Sequence, residues 1–66
     1  MRIWVDPREH ELRAGGWVPE AHVYEDHGYA LDVHKIGSAR GKTFSTREEA
    51  RDWSLALGQR WIAENL

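Results

Sequence analysis

Apolar positions in the last third of the chain recur with the period of an amphipathic helix. The run Thr46-Arg47-Glu48-Glu49 fits a capping box, in which Thr46 caps the free amides and Glu49 reaches back to the cap residue. After it, four apolar residues at helical spacing form one stripe: Ala50, Trp53, Leu57 and Trp61. The pattern predicts a helix over residues 46–65 that packs on the rest of the domain through this stripe.

A second apolar stripe follows the same predicted helix. At roughly 100° per residue, Leu55, Ile62 and Leu66 lie nearly opposite the first stripe. Several apolar residues exposed in register tend to mark a contact surface, so we expect an interface here. We expect the partner at this interface to be the same helix of a second copy, in a homodimer, or else a foreign protein. Alternatively, residues 1–14 cover the stripe within one chain, through Ile3, Trp4 and Leu12.

Alternation with a period of two predicts strands upstream of the helix. Residues 17–25 alternate, residues 29–36 alternate after the turn signal Asp26-His27-Gly28, and residues 42–44 form a short third strand. Pro19 cannot donate to a ladder, so its strand lies at an edge or begins after Pro19. Six residues form the predicted core face opposite the first helical stripe: Trp17, Ala21, Val23, Leu31, Val33 and Phe44.

The N-terminal segment supports two readings. Asp6-Pro7-Arg8-Glu9 has the sequence of a helix start, with Asp6 as the cap and Pro7 at the first position. An extended segment over residues 10–14 that turns at Gly15-Gly16 and pairs with the strand at Trp17 fits equally well. The sequence leaves both readings open.

Length and composition predict a single α+β domain spanning residues 1–66. It comprises the N-terminal segment 1–16, an antiparallel β-meander over 17–44 and the helix over 46–65, with three strands, or four if the N-terminal segment joins the sheet. The absence of cysteine excludes disulfides and thiolate metal sites. No apolar run reaches the roughly 18 residues that a membrane span needs. We therefore expect a cytoplasmic protein that does not associate with membranes.

Charge provides one candidate nucleic-acid site. The net charge of −2 gives no general attraction for polyphosphate. The glycine-rich loop over residues 35–42, together with the start of the helix, nevertheless collects four cations that could contact phosphate: Lys35, Arg40, Lys42 and Arg47.

The remaining candidate chemistry favours neither a metal site nor an enzyme. His22, His34 and Asp32 are predicted on one sheet face with His10 nearby, but their spacing matches no structural zinc motif. The serines show no nucleophile-elbow pattern, and carboxylate pairs such as Glu48-Glu49 fit turns and caps. We therefore expect a protein without catalytic residues, metal or cofactor.

Two resemblances bear on the fold. The run Thr43-Phe44-Ser45-Thr46-Arg47-Glu48-Glu49-Ala50, with Trp61-Ile62 near the end, resembles small bacterial proteins of unknown function that have three strands and a C-terminal helix. The strand opening Trp17-Val18-Pro19-Glu20-Ala21 is similar to their first strand. Together these segments span about two-thirds of the chain, and they imply a fold rather than a function.

The same run from Thr43 to Ala50 also resembles the plant ethylene-response type of DNA-binding domain and the N-terminal arms of tyrosine integrases. That resemblance implies a three-stranded sheet that reads the major groove through arginines and tryptophans on its exposed face. In this chain the predicted exposed face instead carries Glu20, His22, Tyr24, Asp32 and His34. We therefore expect a non-enzymatic protein–protein interaction or regulatory module, with double-stranded nucleic-acid binding through residues 35–42 as the alternative.

Overall fold

The computed structural model describes residues 1–37 and 42–66, which form one antiparallel sheet and one helix. The strands are β1 (Arg2–Glu11), β2 (Trp17–Asp26) and β3 (Leu31–Gly37), in the spatial order β1-β2-β3. The helix α1 (Arg47–Asn65) packs on one face of the sheet, mainly against β1 and β2. This arrangement confirms the predicted α+β class with a three-stranded antiparallel sheet and a C-terminal helix.

The N-terminal segment is a long edge strand, so the helix start at Asp6 is wrong. The alternative, an extended segment that pairs with the strand at Trp17, is confirmed in its pairing but not in its bounds, because the strand covers Arg2–Glu11 and residues 12–14 lie outside it. Pro7 is compatible with β1 because an edge strand has one side without a partner strand. The β1–β2 turn uses Gly15 and Gly16, both at φ 93°, a left-handed conformation that glycine adopts without strain. The Leu12 N–H donates to the Gly16 carbonyl at 3.0 Å and closes the hairpin.

The strand predicted at residues 42–44 is reduced to a single bridge. Phe44 exchanges two backbone hydrogen bonds with Trp17, at 2.8 and 2.9 Å, and Lys42 and Thr43 lie outside any strand. β1 takes the third place in the sheet, so β2 is the central strand and the predictions for Pro19 are wrong. Pro19 fits there because it lies beyond the last β2–β3 pair, Glu20–Gly37.

The core face of β3 is the reverse of the predicted one. The turn at His27–Ala30 makes Asp26–Leu31 the first pair, which places His34 opposite Val23 and Ile36 opposite Ala21. Directly opposed residues share a face of the sheet, so these even-numbered residues of β3 point toward the helix. The predicted core positions Leu31 and Val33 point away from it and are 54% and 45% exposed.

Small residues form the buried stripe of α1. Ala50, Ser54 and Gly58, spaced four residues apart, are buried, whereas Trp53 is 42% exposed and the core position predicted for it is wrong. Leu57 and Trp61 are half-buried beside this stripe. A Cβ atom on Gly58 would lie 2.5 Å from Val5 Cγ1, so the helix backbone approaches β1 very closely. The small residues permit this approach.

Ser54 joins the helix to both strands beneath it. Its hydroxyl oxygen accepts from the Glu20 N–H at 2.9 Å, and its single hydrogen lies within reach of the Arg8 carbonyl at 2.6 Å and the Ala50 carbonyl at 2.9 Å. Arg8 and Glu20 are opposite each other in the β1–β2 ladder. The hydroxyl therefore fixes α1 over this pair.

The predicted helix boundaries are correct. Thr46 is the N-cap, and its hydroxyl accepts from the Glu49 N–H at 3.2 Å while donating to Glu49 Oε1 at 2.9 Å. The buried apolar residues Ala21, Val23 and Ala50 form the centre of the core between β2 and α1. Among residues 1–37 and 42–66, no helix combines the length and the apolar character needed to cross a membrane.

Candidate functional site

The face of the sheet turned away from α1 is not covered by the helix. Because side chains alternate along each strand, the register assigns alternate positions of the three strands to this open face. Its side chains are Arg2, Trp4, Asp6, Arg8 and His10 from β1, Val18, Glu20, His22, Tyr24 and Asp26 from β2, and Leu31, Val33 and Lys35 from β3.

Aromatic and aliphatic side chains form a row across the open face. Trp4 lies opposite Tyr24, which lies opposite Val33 on the next strand. The Trp4 and Tyr24 rings are stacked, with centroids 5.2 Å apart and planes 11° from parallel. The guanidinium of Arg2 lies 5.3 Å from the Trp4 ring centre, within the range of a cation–π contact. With Leu31 beside it, this row forms an exposed apolar patch.

Charges of both signs surround the apolar patch. Three cationic side chains and three carboxylates occupy the open face, so they cancel: Arg2, Arg8 and Lys35 against Asp6, Glu20 and Asp26. Arg8 pairs with Asp6 at 2.7 Å, and this hydrogen bond and charge raise the pKa of Arg8 above its ordinary value. The face is therefore electrostatically mixed rather than basic.

Two histidines share one carboxylate on the same face. His22 Nε2 donates to Glu20 Oε2 at 2.6 Å, and His10 Nε2 lies 3.5 Å from the same oxygen. The hydrogen bond from His22 is the largest cause that lowers the pKa of Glu20, and partial burial opposes it. Glu20 therefore remains ionised to lower pH than a free glutamate.

Tyr24 was predicted on this face, but Trp4 was not, because β1 was not assigned as a strand, and Val33 was assigned to the core face. The signal was present: Ile3 and Val5 alternate with Arg2 and Trp4, which is the pattern of a strand with one face on the core. The helix signal at Asp6 obscured it.

The predicted helical interface lies on the exposed side of α1. Leu55 is 40% and Leu66 55% exposed, and Ile62 is half-buried between them. Trp4 cannot cover this stripe, because it lies on the open face of the sheet, so that part of the intrachain alternative is wrong. A role for the stripe in homodimer or foreign contact stays a prediction.

The three predicted nucleic-acid residues that the structure describes do not all lie on one surface. Lys35 lies on the open face, whereas Arg47 pairs at 2.6 Å with Glu9, which is on the helix side of β1. Lys42 Nζ lies 4.5 Å from the Trp53 ring centre, near the start of the helix. Arg40 lies outside the described residues.

A second group of titratable side chains gathers on the helix side, at the β2–β3 turn. His27 Nε2 is 3.1 Å from Asp32 Oδ2 and 3.9 Å from Glu25 Oε1. His34 donates to the other oxygen of Glu25 and lies against Trp61. His34 and Asp32 are thus on the opposite face from His22, and the prediction that they share a face with it is wrong.

The fold and its two faces define a small α+β protein in which a helix covers one side of a three-stranded antiparallel sheet and leaves the other side open. A scan against protein-family models finds no match, and searches of curated proteins and of solved structures find no similar protein.

Proposed function

We propose that this chain is a non-enzymatic protein-binding or regulatory module that contacts its partner through the open face of the sheet. The row of Trp4, Tyr24 and Val33, in which Trp4 and Val33 are exposed and Tyr24 is half-buried, is the observation that carries the proposal. Aromatic residues and arginine are enriched in protein interfaces, where rigid rings supply contact area at low entropic cost. The stacked pair of Trp4 and Tyr24 is such a preformed anchor.

The charge distribution supports a protein rather than a polyanion as the partner. The cations and carboxylates of the open face are equal in number, and the whole chain carries −2. A polar rim of both signs around an apolar centre is the usual composition of a protein interface. A polyphosphate would be repelled by the carboxylates as strongly as it is attracted by the cations.

The test compares the two candidate protein-contact surfaces of the molecule. Val33→Lys places a charge in the apolar row, and Leu55→Glu places one on the helical stripe; both positions are exposed. Circular dichroism first establishes that each variant folds. Capture of interacting proteins should then depend on Val33 and not on Leu55. Loss of capture only in Leu55→Glu, or a wild-type dimer that Leu55→Glu alone dissociates in light scattering, would move the interface to the helix.

Double-stranded DNA is the second candidate, and the open face again provides the supporting observation. Arg2 and Arg8 flank the Trp4–Tyr24 stack, so β1 supplies the arginine and tryptophan that the integrase and ethylene-response types carry on their exposed sheet face. Of the residues expected there instead, Asp32 and His34 lie on the helix side. The resemblance to these families and to the small bacterial proteins supports the proposal at the level of the fold only.

A gel-shift titration at about 50 mM salt tests DNA binding, because weak phosphate contacts persist at low salt. Lys35→Glu changes the open face, and Lys42→Glu changes the neighbourhood of the helix start. Binding that weakens only with Lys35→Glu would assign DNA to the sheet, and binding that weakens only with Lys42→Glu would assign it to the loop. No shift for the wild type at micromolar protein would exclude this candidate.

A further inference from the structure

The turn between β2 and β3 brings three potential metal ligands together from separate positions in the chain. Glu25 is the penultimate residue of β2, His27 lies in the turn and Asp32 is the second residue of β3. One oxygen or nitrogen atom from each lies within 4.8 Å of the other two. The group therefore has the approximate size of a coordination shell.

The donor set suits a divalent transition metal. An imidazole nitrogen and two carboxylate oxygens are ligands that zinc accepts at about 2.0–2.2 Å, which for tetrahedral angles places the ligands about 3.4 Å apart. The measured separations of 3.1 Å for His27–Asp32 and 3.9 Å for His27–Glu25 lie on either side of this value. Small side-chain rotations would therefore bring all three atoms onto one ion.

The backbone of the turn holds His27 in this position. The His27 N–H donates to the Ala30 carbonyl at 2.9 Å, and the Gly28 N–H donates to Asp26 Oδ1 at 2.9 Å. Gly28 has φ 87°, which an L-residue rarely adopts, so the tight turn depends on this glycine. The imidazole is consequently presented to the two carboxylates by a fixed loop.

The burial of Glu25 adds to this geometry. Glu25 is a carboxylate at a buried position, with only 8% of the residue exposed, on the core face of the central strand. A buried carboxylate needs hydrogen bonds or a compensating positive charge, and a cation bound at Oε1 would supply that charge. His34 donates to Glu25 Oε2, and its ring lies against Trp61 with the ring centroids 4.4 Å apart. This hydrogen bond orients the Glu25 carboxylate. Metal ligands commonly have such an outer layer of hydrogen bonds.

We propose that Glu25 Oε1, His27 Nε2 and Asp32 Oδ2 bind one divalent transition-metal ion, with zinc as the preferred metal. The side chain of Asp32 is 60% exposed, which gives the ion an entry path and leaves its fourth position to water. The ion would fasten the β2–β3 turn to the sheet. A chain of this size gains from such a structural metal, because its core alone supplies limited stability.

Zinc titration of the untagged protein, stripped with chelator, tests the site by calorimetry and by thermal melting. We expect zinc to raise the melting temperature of the wild type, and His27→Gln to weaken binding by at least about tenfold. Asp32→Asn, at an exposed position, should weaken it similarly without disturbing the fold. Cobalt bound to the same site should give a visible absorption band that His27→Gln removes.

The other histidine–carboxylate cluster provides the matched control. His22→Gln alters the pair with Glu20 on the opposite face of the sheet and should leave zinc binding unchanged. His34→Gln should weaken binding by about 10–100-fold through the orientation of Glu25. The proposal is overturned if the wild type does not bind zinc, if His27→Gln and Asp32→Asn bind as the wild type does, or if His22→Gln alone abolishes binding.

Discussion

Replacing Gly58 by alanine tests the close contact between α1 and β1. In the middle of a helix, alanine is favoured over glycine by about 1 kcal/mol, so helix propensity alone predicts a more stable protein. The structure predicts the opposite, because the added methyl would lie 2.5 Å from Val5 Cγ1 and 3.3 Å from Ala21 Cβ. The sign of the change in stability therefore separates the two effects.

The magnitude follows from the geometry of the contact. Carbon atoms in van der Waals contact are about 3.5–4.0 Å apart, so the shortest contact is too close by about 1 Å. Val5 is β-branched, so its χ1 rotamers are restricted and its side chain does not easily rotate away from the added methyl group. Overpacking of this kind costs about 1–3 kcal/mol. With about 2–3 kcal/mol for the clash and about 1 kcal/mol returned by propensity, we expect a net loss of about 1–2 kcal/mol.

Thermal melting followed by circular dichroism measures this loss. For a domain of this size, 1 kcal/mol corresponds to about 4–8 °C, so Gly58→Ala should melt about 4–16 °C below the wild type. Ala56→Gly, at an exposed helical position, measures the propensity effect without the clash. Adding Val5→Ala to Gly58→Ala should give a favourable coupling of at least about 0.5 kcal/mol. A rise in melting temperature for Gly58→Ala would refute the close approach.

Three further changes test other contacts of the fold. Ser54→Ala should cost about 1–3 kcal/mol in urea unfolding, because two partly buried backbone groups lose their hydroxyl partner. Trp61→Ala should destabilise more than Trp53→Ala, since Trp53 is 42% exposed; equal losses in melting temperature would contradict this. The pKa of Glu20 is lowered in the folded state, so its contribution is present above the unfolded pKa and lost as pH falls through the folded one. Glu20→Gln should therefore flatten the loss of stability below about pH 4.5, compared by melting at several pH values.

The helix and the central strand were predictable because local chemistry determines them. Thr46 and Glu49 mark the start of α1, and the alternation around Ala21 and Val23 marks the core face of β2. β1 was not determined in this way, because Asp6-Pro7 is a favourable helix start in isolation. Pairing with β2 overrides that local preference. The turn at Gly15-Gly16 indicated the pairing, but it did not show that the strand extends back to Arg2.

Which face of β3 and of α1 points toward the core depends on interactions between residues that are distant in sequence. Both faces of β3 carry apolar residues, and only the register set by the preceding turn selects Ile36 over Val33 for the core. In α1, the predicted stripe included Trp53, which is exposed, and omitted Ser54 and Gly58, along which the closest contact runs. Small residues have no hydrophobic signal, although they decide how near a helix can approach.

The candidate surfaces likewise divide into those that local sequence predicts and those that depend on distant contacts. Neither the Trp4–Tyr24 stack nor the group of Glu25, His27 and Asp32 was predicted, because both depend on strand register. The helical stripe was readable because helical spacing alone defines it.

The hydroxyl of Ser54 has a consequence for the order in which the molecule assembles. The Glu20 amide donates to a side chain 34 positions later in the chain, so the hairpin of β1 and β2 does not complete this hydrogen bond before the helix docks. Amide hydrogen exchange at Glu20 should therefore report helix docking rather than hairpin formation. If the helix detaches as a unit, the Glu20 amide should lose its protection against hydrogen exchange in the same opening event, although Glu20 lies in the central strand.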